Sequence, residues 1–245
     1  MKQRADTLLV DRGLARSRSE AQWLVRSGHV YAGTQPVDRA GQLLRTDAPL
    51  TVLPGPRFVS RGGNKLDGAL AAFRFDVQGM TALDVGASTG GFTDCLLQHG
   101  SRAVIAVDVG HAQLDERLRA DPRVTSIEGV NARQLTRDLL PYPVSLVVVD
   151  ASFISLGVLL PAIAGLLDPG GHLLALIKPQ FEVGRREARR ARGVIRDPTI
   201  RNAAIHRVRW EIQQAGFTML TQIDSTLPGP KGNLECFLLA RRLGS

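Results

Sequence analysis

The order of apolar and polar positions divides the chain in two. Within roughly the first fifty residues, apolar positions recur at helical spacing in two short runs. RADTLLVDRG (4–13) stops at Gly13, and SRSEAQWLVRSG (17–28) opens with Ser17 and Glu20 at capping-box spacing and closes at Gly28, so two short helices are predicted. HVYAGTQPV (29–37) reads as a strand and turn, and APLTVLPGPR (48–57), with three prolines and a glycine, reads as a linker. From about Phe58 the period changes. TALDVGA (81–87), AVIAVDVG (103–110), RVTSIEG (123–129), SLVVVDAS (145–152) and HLLALIKP (172–179) are short apolar runs spaced widely enough for helical crossovers, which predicts a parallel sheet covered on both faces. RNAAIHRVRWEIQQAG (201–216) is a helix, and the turn-rich LPGPKGN (227–233) joins TMLTQIDST to ECFLLARR as an antiparallel hairpin. The fold expected is α/β, mostly parallel with an antiparallel C-terminal hairpin. A small α+β domain (1–53) and a linker (54–60) precede the large domain (61–245).

Composition changes this picture mainly through charge. The 245 residues hold 31 Lys+Arg against 23 Asp+Glu, a net charge of +8, and arginine supplies nearly all of the positive charge. Guanidinium pairs bidentately with phosphate, so a phosphate-rich partner is one reading, and plain solubility is the other. Arg12, Arg16, Arg18 and Arg26 crowd the second predicted helix and the loop before it, beside serines, which suits phosphate contact with RNA or DNA, the alternative being a solvated helix face. A second basic run, VGRREARRARGVIRDP (183–198), carries six arginines from Arg185 to Arg196, among them Arg186, Arg189 and Arg190, and its polarity predicts mobility without a partner. The two cysteines, Cys95 and Cys236, have no CxxC spacing and no histidine cluster nearby, so neither a disulfide framework nor a metal site is expected, and a reducing cytoplasm fits. The apolar part of MKQRADTLLVDRG is too short for a secretory signal. The longest uncharged apolar run, Ile154 to Leu167, contains Pro161 and falls short of the ~20 residues of a membrane span, so no membrane association is expected.

Candidate chemistry begins at LDVGASTGGFTD (83–94), where the first strand of the sheet turns into a helix. The GxxxGG spacing is not the GxGxxG of dinucleotide enzymes and lacks the Gly-Lys-Ser/Thr ending of a phosphate loop. S-adenosylmethionine presents an amino-acid end instead. Asp84 could receive its ammonium, directly or through water, while the backbone of Gly86, Ser88, Thr89, Gly90 and Gly91 meets its carboxylate. Asp108, ending the second strand, is placed for ribose hydroxyls. Asn131 sits either at the adenine end or simply in a turn. A mostly parallel sheet finished by a hairpin is also how the class I, Rossmann-like S-adenosylmethionine methyltransferase fold ends.

Ligands of open α/β sheets bind outside the carboxyl ends of the strands. Asp150 ends the fourth strand and Lys178 the fifth; Lys65 begins a helix before the first strand, and Glu235 follows the hairpin turn. The segments VSRGGNKL (59–66), VDASFISL (149–156), LIKPQFEVG (176–184) and GPKGNLECF (229–237) resemble the Lys-Asp-Lys-Glu tetrad of FtsJ/RrmJ-type RNA ribose 2'-O-methyltransferases. LARSRSEAQWLVRSGHVYAGTQPV (14–37) resembles the alpha-L RNA-binding module named for ribosomal protein S-four. Together they make the chain similar to the TlyA family, described both as ribosomal RNA 2'-O-methyltransferases and, historically, as haemolysins. One departure is His111 and Ala112, where that family often carries an aromatic residue and a glycine.

The resemblance implies methylation of a ribosomal RNA ribose, that of a cytidine, on RNA or ribosomal subunits. Lys178 would be the base or the hydroxyl-orienting group, and Lys65 would help to place the ribose and adjacent phosphate. Asp150, which also borders the cofactor, and Glu235 would fix the amines. A ribose hydroxyl is a poor acid; a lysine can accept its proton if desolvation and nearby positive charge depress its pKa, a shift the two carboxylates oppose. Arg61 and the basic run would fold over the RNA. The competing readings are a pore-former, which lacks a readable membrane segment, and a non-catalytic RNA-binding assembly factor, against which the four charged residues argue.

Overall fold

The computed structural model describes residues 2–244 apart from Ser27, Pro54, Pro56 and Pro230, with the side chains of Arg26 and Arg185 also outside the description. The chain forms two compact units, Met1–Arg57 and Phe58–Ser245.

In the first unit, β1 (Lys2–Arg4), α1 (Ala5–Asp11), α2 (Arg18–Arg26), β2 (Val30–Ala32), β3 (Gln35–Pro36), β4 (Leu43–Arg45) and β5 (Leu50–Val52) follow in order. β1 pairs with β4, and β2 pairs with β3 on one side and β5 on the other, all antiparallel. Ser17 Oγ accepts from Glu20 N at 3.2 Å at the start of α2, while the Glu20 carboxylate accepts from Arg16 N at 2.6 Å. Leu9, Ala21, Val25 and Val30 pack inside. The linker reading of residues 48–57 needs correction: Leu50, Thr51 and Val52 alternate apolar, polar, apolar and complete the sheet beside β2, Val52 opposite Val30. Pro54 and Pro56 of the expected linker lie outside the described residues.

The second unit runs α3 (Arg61–Phe73), β6 (Thr81–Val85), α4 (Gly91–Gln98), β7 (Ala103–Asp108), α5 (Glu116–Arg119), β8 (Val124–Glu128) and β9 (Val144–Val149). It continues with α6 (Leu156–Leu166), β10 (Leu167–Ile177), α7 (Pro179–Glu182), α8 (Arg185–Arg190), α9 (Pro198–Gln214), β11 (Phe217–Asp224) and β12 (Cys236–Arg242). One sheet takes all seven strands in the order β11-β12-β10-β9-β6-β7-β8, with β12 antiparallel to both of its neighbours. Side chains alternate across it, as the period of two requires. Leu83, Val85, Val147 and Val149 face α6 and α9, while Ala82, Leu146 and Val148 face α3 and α4. Phe58, 1 % exposed, belongs to the second of these layers, and Ser60 caps α3 by accepting from Gly62 N, so residues 58–60 are part of the large unit rather than a tether. The basic run is helical over Arg185–Arg190.

At Gly91 an added Cβ would lie 2.1 Å from Ser60 Oγ and 2.9 Å from Gly63 N, where α3 crosses α4, whereas at exposed Gly165 in α6 it would meet nothing within 4 Å. Urea unfolding is expected to show Gly91→Ala destabilised by about 1–3 kcal/mol and Gly165→Ala stabilised by roughly 0.5–1 kcal/mol.

Candidate active site

Strand register brings the charged residues to one end of the sheet. Val85 and Ala175 both align with Val149, so the residues after β6, β9 and β10 emerge together. Antiparallel β12 aligns Cys236 with Ile177, which sets Glu235, just before β12, beside Lys178, just after β10. α3 lies over this edge. A cavity of about 910 Å³ opens there, lined by all four of Lys65, Asp150, Lys178 and Glu235. They form two ion pairs, Lys65 Nζ to Glu235 Oε2 at 2.5 Å and Lys178 Nζ to Asp150 Oδ1 at 2.6 Å. Lys178 Nζ also donates to Asp150 O at 3.2 Å and Ser152 Oγ at 2.8 Å, while Asp150 Oδ1 takes part in the ion pair without a hydrogen bond of its own. Glu235 Oε1 is buried without a hydrogen-bond partner among the described residues.

The glycine loop forms one wall, with Gly86, Ser88, Thr89 and Gly91 lining the cavity. Its glycines also answer to packing. Gly86 (φ +84) passes the Asp150 carbonyl, where a Cβ would sit at 3.2 Å; at Gly90 (φ +93) a Cβ would strike Leu118 at 2.3 Å; Gly91 makes room for Ser60. Packing therefore favours glycine at 91, and the positive φ favours it at 90. Asp84, Asp108 and Asn131 are not among the lining residues. Asp84 is fully buried, accepts from Thr93 Oγ1 at 2.7 Å and leaves Oδ1 unpartnered. Asp108 accepts from Ser88 N and Gly110 N, both at 2.8 Å, and so holds the glycine loop against β7. Asn131 accepts from Arg133 N at 3.1 Å as the cap of a 3-10 turn. In the departing segment Ala112 has φ +53, a conformation that glycine adopts without strain.

Several lining residues were not singled out in the sequence: Ser152, Phe153, Phe181, Lys231 and Asn233. Phe153 is 91 % exposed with φ +66, its ring centroid 5.0 Å from that of Phe181. Nothing in the sequence announces that backbone conformation. Lysine scarcity was a readable signal, since the chain has only four lysines (2, 65, 178 and 231), and three of them line this cavity. Among the arginines, Arg61 borders the cavity and donates to Pro228 O, while Arg186, Arg189 and Arg190 are exposed on α8. In the first unit Arg16 is exposed, Arg12 donates to the carbonyls of Thr46 and Ala48, and Arg18 pairs with buried Asp6 at 3.3 Å. Away from the cavity, Asp67, Cys95 and His99 offer ligand-type atoms within 4.8 Å of one another, and His99 Nε2 meets Asp67 Oδ1 at 2.8 Å across α3 and α4. The sequence reading, which finds no histidine cluster near either cysteine, misses this i,i+4 pair.

A seven-stranded sheet of this order, with a cavity at its carboxyl edge, is the architecture of class I methyltransferases; solved N-methyltransferase NodS from Bradyrhizobium japonicum shares the fold at a TM-score of 0.51 and 15% identity, over 75% of this chain and 95% of that one. Residues 58–243 match the FtsJ-like methyltransferase family and residues 3–48 the S4 domain. The 16S/23S rRNA (cytidine-2'-O)-methyltransferase TlyA of Mycobacterium tuberculosis is 44% identical over 240 residues, 97% of this chain and 89% of that protein. Hemolysin A of Brachyspira hyodysenteriae is 38% identical over 95% of this chain and 97% of its own length. The chain belongs to the TlyA family of FtsJ-like methyltransferases.

Burial pushes the Asp84 carboxyl up to about 7, opposed by its bond from Thr93 and reinforced by the charges of Asp150 and Asp108. An unfolded aspartate ionises near pH 4, so between about pH 4 and about pH 7 the folded chain holds a proton that the unfolded chain has released. Stability contributed here falls as pH rises through that window and is level above it. Urea midpoints measured across the window should show this slope in the wild type, and the slope should be smaller in Asp84→Asn.

Proposed function

We propose that this protein transfers the methyl group of S-adenosylmethionine to a ribose 2'-hydroxyl, that of a cytidine, in ribosomal RNA. The observation that carries the reading is the pair of amine–carboxylate contacts, Lys178–Asp150 and Lys65–Glu235, lining one cavity beside the glycine loop. Relatives named for this reaction, and the S4 match at residues 3–48, support the choice of substrate. The first unit then docks on folded RNA or an assembled subunit in the cytoplasm.

The residues fit the cofactor. Asp84 offers a buried, unpartnered carboxylate oxygen behind the loop, suited to an ammonium reached through water, and Asp108 borders the loop where ribose hydroxyls would lie. When bound, S-adenosylmethionine supplies an electrophilic methyl on a positively charged sulfur. Lys178 meets the attacking oxygen. It already holds one alcohol, Ser152 Oγ at 2.8 Å, and a ribose hydroxyl suits the same contact. The hydroxyl proton leaves toward the Lys178–Asp150 pair, treated as a unit because the two groups are in contact. Lys65, fixed by Glu235, places the ribose and its neighbouring phosphate, and displacement then depends on proximity. Exposed Phe153, backed by Phe181, offers a face on which an unpaired base can stack.

Purified protein incubated with labelled S-adenosylmethionine and separated ribosomal subunits from a methylation-deficient strain should label one ribose, and mapping that nucleotide tests the reading. Lys178→Ala is expected to lower the transfer rate by about 10²–10⁴-fold with cofactor binding retained; wild-type transfer by a folded variant refutes its role. Replacing Arg186, Arg189 and Arg190 by alanine should flatten the dependence of log K on log salt by about 0.7–0.9 for each phosphate that is no longer neutralised. The hemolysin name of one relative finds no helix long and apolar enough to cross a membrane among the described residues, and liposome leakage with pure protein tests that reading.

A further inference from the structure

The arginine-bearing stretch 183–196 runs along the same cavity, since Ala188 and Gly193 line it. Buried polar side chains fasten both of its ends. At its start, Glu182, 4 % exposed, accepts from Ser155 Oγ at 2.7 Å and Leu156 N at 2.9 Å and pairs with Arg207. At its end, the chain reverses through Arg192 (φ +49) and Gly193 (φ +79), and Ile195 turns inward, 7 % exposed. Asn233 receives it there. With 3 % exposure, Asn233 donates Nδ2 to Gly193 O at 2.9 Å and accepts from Ile195 N at 2.8 Å on Oδ1.

A carboxamide offers one planar edge with a donor beside an acceptor, so it pairs with a peptide's carbonyl and N–H much as a neighbouring strand would. Aspartate would keep the acceptor for Ile195 but turn a second acceptor toward the Gly193 carbonyl. Asn233 is at the same time part of the hairpin turn, its own carbonyl accepting from Gly229 N at 2.9 Å. Two residues further on, Glu235 holds Lys65. One residue thus belongs both to the arginine strap and to the turn that delivers a carboxylate of the site. One donor and one acceptor of its side chain are engaged by the strap, which gives it a role through the groups it holds.

The geometry points to Asn233 as a positioning residue that fastens the arginine strap to the hairpin bearing Glu235, so that RNA held by the strap meets the two ion pairs in one fixed register. The nature of what the strap holds rests on the RNA-methylating function proposed above, and the test separates the two. Asn233→Ala and the milder Asn233→Asp are compared with wild type in three measurements: tryptic cleavage within residues 185–196, calorimetric affinity for S-adenosylmethionine, and kcat and KM for methyl transfer to ribosomal subunits. Asn233→Ala leaves the Ile195 N–H and the Gly193 carbonyl without partners and Asn233→Asp the carbonyl alone, so cleavage should accelerate by about tenfold or more in the first and by less in the second. KM for subunits should rise several-fold while kcat at saturating substrate and cofactor affinity stay near wild type, a split that general destabilisation does not produce. Unchanged cleavage in both variants overturns the inference, as does a loss confined to cofactor affinity or to kcat. If wild-type protein methylates no RNA, the functional reading fails, while cleavage and the salt dependence of RNA binding still decide whether Asn233 holds the strap.

Discussion

Lys65 and Glu235 meet where water scarcely reaches, their side chains 8% and 0% exposed, and neither charge is tolerable there without the other. Removing one partner of such a pair typically costs about 3–5 kcal/mol, because the survivor is left buried and uncompensated. The contact joins residues 170 positions apart, so it constrains everything between them. α3 must lie over the carboxyl edge of the sheet, and the final strand must run against its neighbours so that its first residue arrives at that edge. The reversed direction of β12 is the reason a glutamate from the end of the chain reaches a lysine near the start of the large unit.

The second pair, Lys178 with Asp150, is built by simpler means, from adjacent parallel strands in which Val149, just before Asp150, aligns with Ala175, three residues before Lys178. Together the pairs place two ammonium and two carboxylate groups around one space without a net charge. Further positive charge lines the same space on Arg61 and Lys231, both exposed.

Much of this was legible because the chemistry falls at the ends of periodic apolar runs. Asp150 and Lys178 directly follow the apolar runs LVVV and LLALI, and in an α/β alternation strand ends share an edge whatever the details. The glycines were legible as a turn but not in their use: that Gly91 faces Ser60, and Gly90 faces Leu118, depends on how helices distant in sequence cross. Phe153 was missed since a positive φ at phenylalanine is imposed by its surroundings, against local preference. Asn233 looked like an ordinary turn residue within PGPKGN, and its partners, Gly193 and Ile195, lie about forty positions away in a run whose charge suggested no fixed structure. β5, inside the expected first domain, was not read as a strand because three alternating residues between prolines carry too little pattern to stand out.

The place of β12 has a temporal side. It inserts between β10 and β11 rather than adding at a rim, and it carries the last member of the charged quartet. While the chain is still being made, the sheet has a gap and Lys65 has no counter-ion. Pairings this distant form late in folding, since the loop must close before the contact returns any free energy. A nascent or C-terminally clipped copy would therefore carry the first unit and the arginine-bearing helix before Lys65 and Glu235 could meet.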